Sequence, residues 1–386
     1  MTTTPLRHLQ RLSECPTLTV AGLMSGTSMD GLDVALCRIG RGGRPLEFLA
    51  GRTLPMPADL KAMIEEAQAG SLPAAARADM ALGRWFAEAT AAFAEETGIA
   101  IDLVGSHGQT VCHEHGVTTL QIGEASYIAA RLDCPVVADF RRADIAQGGC
   151  GAPLVPIFDE IVFGRREEAV LAINIGGIAN LTFIPARAHS NAAPTAFDCG
   201  PGNMVIDRLA SVRSRGARTY DENGAMAAAG RVEDALLERL MEHPFFAGDG
   251  PRSAGREQFG HAFTDELIER VAPADDRSWC DLIATATAWT ARAIALSIDR
   301  ADPAGGARIA HVAGGGVHNA TLMAALAAER PGIVFRDTAS VGIDPDFKEA
   351  MAFALLARLY VDGEPGNVPS ATGAVAATLL GRLTLP

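Results

Sequence analysis

The stretch "GTSMDG", residues 26–31, sets two hydroxyls (Thr27, Ser28), one carboxylate (Asp30) and two glycines between the apolar runs "AGLMS" and "LDVAL". A plain two-residue hairpin needs one or two residues of this kind. Backbone N–H groups in a tight glycine turn, helped by hydroxyls, can cradle phosphate oxygens without a lysine. Asp30 offers the oxygen chemistry that magnesium favours, directly or through a metal-bound water. The same residues also suit a decorated bend in which Ser28 and Asp30 bond only their own backbone.

Other stretches carry chemistry of the same kind. "INIGGIAN", 173–180, again sets two glycines (Gly176, Gly177) and a polar Asn180 among apolar residues, and Gly176 lies 150 positions after Gly26. Two facing hairpins of this sort, one from each half, can clamp a polyphosphate. "FDCGPGN" ends a predicted strand on Asp198, where a carboxylate faces the ligand crevice of an α/β protein. Such a group can take a proton from a water or hydroxyl; capping of the next turn is the plain alternative. Cys199 beside it has no assignable His or Asn partner. "VGSHGQTVCHEHG" holds three histidines (107, 113 and 115) and Glu114 but not the H-E-x-x-H zinc pattern. His107 and Gln109 in "SHGQT" suit hydrogen bonding to a polar ligand. "DFRRADIAQGGCGAPLVP" sets Arg141 and Arg142 with Asp139 and Asp144 beside a glycine loop, where arginines can hold a carboxylate or phosphate, or form surface ion pairs. In "VAGGGVHN", Gly314, Gly315 and Gly316 let a backbone pass close to a ligand, and a helix starts near Asn319.

Alternating strands and helices must position these groups, which argues for α/β layering. The opening hairpin precedes an alanine-rich helical stretch, 57–97, broken once at "GSLP". Strands follow at "DLVGSHGQT" and "PVVADF", and the pattern restarts near 143. The second half adds helices around 224–242 and 262–298, a strand before the triple glycine, and a closing loop with a short helix.

Bulk properties bound the class. A chain of 386 residues with 48% apolar content fits two or three globular domains. Net charge is −13 with acids and bases interspersed, which disfavours nucleic acid and anionic membrane as partners. No apolar run approaches the ~20 residues that span a bilayer, and the first residues read as a ragged extension rather than a leader. Seven scattered cysteines without a C-x-x-C pair point to a reducing, cytoplasmic setting. Lys61 and Lys348 are the chain's two lysines, and neither stands in a P-loop pattern.

Taken in order along nearly the whole chain, "GLMSGTSMDGLDVAL", "GSHGQT", "DFRRADIAQGGCGAPLVP", "INIGGIAN", "FDCGPGNMVID", "YDENGAMAAAG", "GPRSAGREQF", "VAGGGVHNATLM", "KEAMAFALLA" and "PGNVPSATGA" resemble the anhydro-N-acetylmuramic acid kinase family. The resemblance implies the two-lobed α/β fold of actin, hexokinases and sugar kinases, with duplicated ribonuclease-H-like domains and an interlobe cleft. The first lobe would take 1–140 plus 365–386 and the second 141–364. It implies ATP contacts at Ser25, Gly26, Thr27, Ser28, Met29, Asp30, Gly31 and Leu32, at Gly176, Gly177 and Asn180, and near adenosine at Gly314, Gly315, Gly316 and Asn319. Mg²⁺ would be met by Asp30 through a bound water.

The reaction it implies opens 1,6-anhydro-N-acetylmuramic acid with water and phosphorylates its 6-oxygen from ATP. Asp198 is then the general base, with Glu349 near the sugar and water; His107, Gln109, Arg142 and Asp144 contact the sugar. A cytoplasmic homodimer follows from the same resemblance. Departures from the family pattern are Cys150 for Gln, Ala143 for Arg, Arg252 for Lys and Ala254 for Thr. Two other readings stay open: a kinase of this fold acting on another sugar without hydrolysis, and a non-catalytic nucleotide sensor.

Overall fold

The structure is a computed structural model that describes residues 10, 12–26, 29–165, 167–188, 192–248 and 254–386. Thr27, Ser28 and Arg252 lie outside the described residues. In chain order the strands are β1 (Thr17–Ser25), β2 (Gly31–Gly40), β3 (Leu46–Pro55), β4 (Leu103–Glu114), β5 (Thr118–Ile122) and β6 (Val136–Ala138). They continue with β7 (Val170–Ile175), β8 (Ile178–Ile184), β9 (Thr195–Pro201), β10 (Ile309–Ala313), β11 (Val334–Asp337) and β12 (Arg382–Thr384). The chain divides into two compact units, Met1–Val162 with Gly342–Pro386, and Phe163–Val341.

The first unit is built on one sheet in the order β12-β6-β4-β1-β2-β3, with β5 paired to β4. β1, β2 and β3 form an antiparallel meander, whereas β4 runs parallel to β1 and β6 parallel to β4. β1 and β2 are near-continuous apolar runs because both faces of the sheet are covered. Helices Leu72–Thr97 and Ala125–Leu132 bring Phe86 and Ile128 into a core with Leu23, Val34 and Val104. The break expected at "GSLP" is the N-terminus of the first of these, where Ser71 Oγ accepts the N–H of Ala74 at 3.3 Å.

Helix Lys348–Asp362 lies against β1, β2 and β4 and is buried without interruption from Ala350 to Leu359. Its approach leaves no room for side chains beneath it. A Cβ on Gly22 would stand 1.8 Å from the carbonyl oxygen of Ala350, and one on Gly105 2.1 Å from that of Phe353. This packing sets the division of the chain. Residues 141–162 and 342–364 belong with the first unit, where the sequence reading had given 141–364 to the other. A buried ion pair adds to the hold, with Lys348 Nζ 2.6 Å from Asp159 Oδ1.

The second unit carries a five-stranded sheet in the order β11-β10-β7-β8-β9. β7, β8 and β9 are an antiparallel meander, β10 is parallel to β7, and β11 is parallel to β10. Strand for strand this repeats β3-β2-β1-β4-β6 of the first unit. The fold is therefore the duplicated ribonuclease-H-like α/β arrangement that the resemblance implied. Helix Asp276–Ala301 starts with a reciprocal cap between Asp275 and Ser278 and packs on β8 and β9. Trp289 from this helix meets the rings of Phe246, Phe259 and Phe263 at 5.6–6.1 Å.

Two expected helices prove to be broken. The 262–298 stretch is His261–Val271 followed by Asp276–Ala301, because Ala272 takes a left-handed conformation and Pro273 cannot continue the ladder. The 224–242 stretch is Ala225–Ala228 and Asp234–Met241. Among the described residues no helix is long and apolar enough to cross a membrane.

Candidate active site

In the first unit, β1 ends on Ser25, which is buried, and its Oγ lies 2.7 Å from Gln109 Oε1 and 3.1 Å from the carbonyl oxygen of Gly31. The register between β1 and β4 shifts between Leu23 and Ser25, and this contact ties the two strands together just past the shift. The bend itself closes with the Met29 N–H donating to Gly26 O at 3.1 Å, and Met29 adopts φ +56°. Asp30 is exposed, and its carbonyl accepts the N–H of Met56 at 3.1 Å; Leu32 is buried in the core. Thus Ser25, Gly26, Met29, Asp30, Gly31 and Leu32 are brought to one strand end beside Gln109.

The second unit assembles its polar groups by register. Asn174 on β7 pairs with Asn180 on β8, and Asn180 pairs with Asp198 on β9. Directly paired residues share a face, so two amides and a carboxylate form one row across three strands. Ala313 extends the row on β10, opposite Asn174, and Gly314 follows it. Gly314 holds φ +81°, and a Cβ there would meet Asn174 Oδ1 at 2.7 Å and Ile175 O at 2.8 Å. Glycine at this position fits the loop to the strand end. Gly315–His318 then form a single tight turn before Asn319, whose Oδ1 caps the next helix by accepting the Leu322 N–H at 3.0 Å. Asn174 was missed by the sequence reading; strand pairing, not spacing, brings it into the row.

The hairpin of Gly176 and Gly177 is oriented by the helix that follows β9. Gly176 O accepts the Asn203 N–H at 2.8 Å, and Gly177 O accepts those of Gly202 and Met204 at 2.9 and 3.2 Å. In a trans peptide the N–H points opposite to the carbonyl. The N–H groups of Gly177 and Ile178 therefore aim away from that helix N-terminus, as donors for an anion require.

Asp198 is half-buried, and Oδ2 accepts the N–H of Ala254 at 2.7 Å. Burial pushes its carboxyl up to about 6, against the smaller lowering by that N–H. A carboxylate raised in this way is basic enough to accept a proton near neutral pH. The neighbouring Cys199 is buried and its thiol is pushed well above the usual range, which removes it as a nucleophile.

The residues expected to meet a sugar lie in the first unit and behave differently from one another. His107 is buried; its Nε2 accepts from Arg141 Nε and Nη2 at 3.1 and 2.9 Å, so Nδ1–H donates to Gly108 O at 2.9 Å. Burial, reinforced by the Arg141 charge, holds the ring well below its ordinary pKa, and it stays neutral. Both ring nitrogens are engaged within the protein. Asp144 is fully buried: Oδ1 accepts from Asn367 Nδ2 and Thr372 Oγ1, each at 2.7 Å, and Oδ2 accepts the Gly151 N–H at 2.8 Å. It braces the glycine loop 148–151. Arg142 faces outward, 3.4 Å from Asp139, whereas the adjacent Arg141 is half-buried, with Nη1 donating to Gly151 O at 2.9 Å. Glu349 stands in the first turn of helix Lys348–Asp362, and its charge is felt by Arg141.

His113 accepts or donates at Thr119 Oγ1, 3.1 Å away, and burial lowers it to about 4. Among the described residues no group of three or more His, Cys, Asp or Glu side chains is placed to hold a metal ion.

The family model for anhydro-N-acetylmuramic acid kinase matches residues 18–386. The chain is similar to the anhydro-N-acetylmuramic acid kinase of Salinibacter ruber, 42% identical over 386 residues that cover 95% of this chain and 96% of that protein. It is similar to those of Thiobacillus denitrificans (41%, covering 94% and 96%) and Pseudomonas putida (40%, covering 94% and 98%). A glucokinase of the ROK family from Streptomyces griseus, solved with glucose and AMPPNP, is 14% identical with a TM-score of 0.40 over 88% of this chain and 99% of that one, too distant to add to the topology above. The repeated sheet order, the two glycine hairpins and the match over nearly the full chain lead to one conclusion: this chain belongs to the anhydro-N-acetylmuramic acid kinase family and is a sugar kinase.

Proposed function

We propose that the enzyme converts 1,6-anhydro-N-acetylmuramic acid, ATP and water into N-acetylmuramic acid 6-phosphate and ADP. What supports this reading is Asp198, a half-buried carboxylate raised to about 6 with one short backbone donor among the described residues, at the end of the polar row. Asp198 takes a proton from a water as its oxygen bonds to the anomeric carbon. The bond from that carbon to the bridging 6-oxygen breaks, and the 6-oxygen bonds to the γ-phosphorus as ADP leaves. Transfer of this kind asks chiefly for positioning and charge neutralisation.

Residues of both hairpins hold the ATP phosphates in this reading: Ser25, Gly26 and Met29–Leu32 from one, Gly176, Gly177 and Asn180 from the other. Gly314–Gly316 and Asn319 border the adenosine. Thr27 and Ser28 act with the first hairpin. Magnesium, when bound, neutralises phosphate charge; the exposed Asp30 fits an ion held mainly by the nucleotide and its waters. Glu349 flanks the sugar and water. Arg142 contacts the sugar, and His107, Gln109 and Asp144 shape its pocket through their internal bonds. The setting is the cytoplasm, where seven unpaired cysteines persist, with a homodimer as the working form and recovery of cell-wall sugar as its use.

Product analysis with authentic anhydro-sugar and ATP in ¹⁸O-labelled water tests the reading. The expected product is heavier than the substrate by one phosphoryl group and one labelled water, with one ADP per sugar. A phosphorylated product that keeps its anhydro bridge refutes hydrolysis, and ATP binding without ADP formation refutes catalysis on this sugar.

A further inference from the structure

Arg141 is a half-buried cation whose hydrogen bonds go to neutral groups, the imidazole of His107 and the carbonyl of Gly151. A guanidinium taken out of water is costly unless a charge answers it. The helix that carries Glu349 supplies the answer. Phe353 of that helix lies against the His107 ring, 4.6 Å between centroids, and against Phe140 at 5.5 Å. Residues four apart share a helix face, so Glu349 stands one turn before Phe353 on the face that covers His107 and its arginine. That helix lies so close to the sheet that neither Gly22 nor Gly105 has room for a Cβ beneath it.

We propose that Arg141 is the positioning residue for Glu349: its fork is locked by His107 and Gly151, and its charge draws the glutamate carboxylate into one position. Arg142, the exposed neighbour, has no part in this. The proposal rests on the reading of Glu349 as a participant in the reaction. The same geometry gives His107 its role, which is to accept the guanidinium on Nε2 while Nδ1–H is spoken for by Gly108.

The test is a double-substitution cycle on the full-length enzyme, with kcat and the ATP and sugar KM measured for each variant. Arg141→Gln keeps donors for His107 and Gly151 but removes the charge; Arg141→Lys keeps the charge and loses the fork. The expected result is a fall in kcat of about tenfold or more for Arg141→Gln, with ATP KM unchanged and Arg141→Lys retaining more activity than Arg141→Gln. Placed in Glu349→Gln, Arg141→Gln should cost less than about twofold further, because coupled residues are not additive. Full multiplication of the two losses overturns the proposal, as does Arg141→Gln matching or exceeding Arg141→Lys. Glu349→Gln at the wild-type rate refutes instead the role of Glu349, and the two failures are thereby told apart.

Discussion

Replacing Asp198 with Asn removes one charge, keeps the size of the side chain and leaves Oδ1 to accept the Ala254 N–H. The carboxyl is raised from 3.8 to about 6 by burial, a little over two units. At about 1.36 kcal/mol per unit this sets an upper limit near ~3 kcal/mol on the cost of ionising Asp198 in the folded protein. Partial exposure screens the charge, which brings the expected figure to about 1–2 kcal/mol. The sign follows from the two states. Below about pH 4 both folded and unfolded chains keep the proton and nothing is lost. Between about 4 and 6 the unfolded chain releases it first, stability falls as pH rises, and above 6 the full penalty stands.

Asp198→Asn should therefore melt a few degrees higher than the wild type at pH 7.5, about 2–5 °C, and show no such gain at pH 3.5. The same variant should bind ATP and release no ADP with the anhydro-sugar, while wild-type kcat/KM climbs with pH through an inflection near 6. Scanning fluorimetry at the two pH values, calorimetric ATP titration and a coupled ADP assay give the three readouts. A variant less stable than wild type at pH 7.5 refutes the burial account; one that retains most of its turnover removes Asp198 from the chemistry.

Lys348→Met leaves Asp159 without its ammonium in a buried place and should lower stability by about 3–5 kcal/mol in urea titration, with Lys348→Met/Asp159→Leu recovering much of the loss. Equal stability of the single and double variants would contradict a buried pair. Gly314→Val forces a branched side chain into φ +81° and against Asn174 and Ile175, so ATP affinity should fall and stability drop by about 1–3 kcal/mol; unchanged ATP binding by calorimetry argues against the loop's role.

The two hairpins were legible in the sequence because glycine pairs with polar neighbours interrupt apolar strands there, whereas Asp198, expected to end a strand, stands in the middle of β9, because Gly200 and Pro201 continue the pairing with β8. The doubling of the fold came with the family resemblance; the likeness of "GTSMDG" to "INIGGIAN" alone left it open. What stayed hidden depends on direction rather than on residue type. Arg141 and Arg142 are identical in the sequence, and only the entry into the short helix Arg142–Ala146 turns one inward and the other out. His107 and Asp144 have the right chemistry for a ligand, but their polar atoms are taken by partners that include Arg141, 34 positions from His107, and Asn367 and Thr372, 223 and 228 positions from Asp144, which no local pattern reports. Asn174 needed the pairing of β7, β8 and β9 to be read with Asp198. The unit boundary was misplaced because helix Lys348–Asp362 follows the second unit in the chain yet is matched to Gly22 and Gly105 in the first.

That match carries a consequence for biosynthesis. Residues 163–341 are one uninterrupted span and can condense as soon as they clear the ribosome, but β1 and β4 stay bare on one side until residues 348–362 emerge. The nascent chain must shelter an apolar surface through most of its translation, and a stop codon placed just before Lys348 should yield a product that chaperones retain or proteases remove.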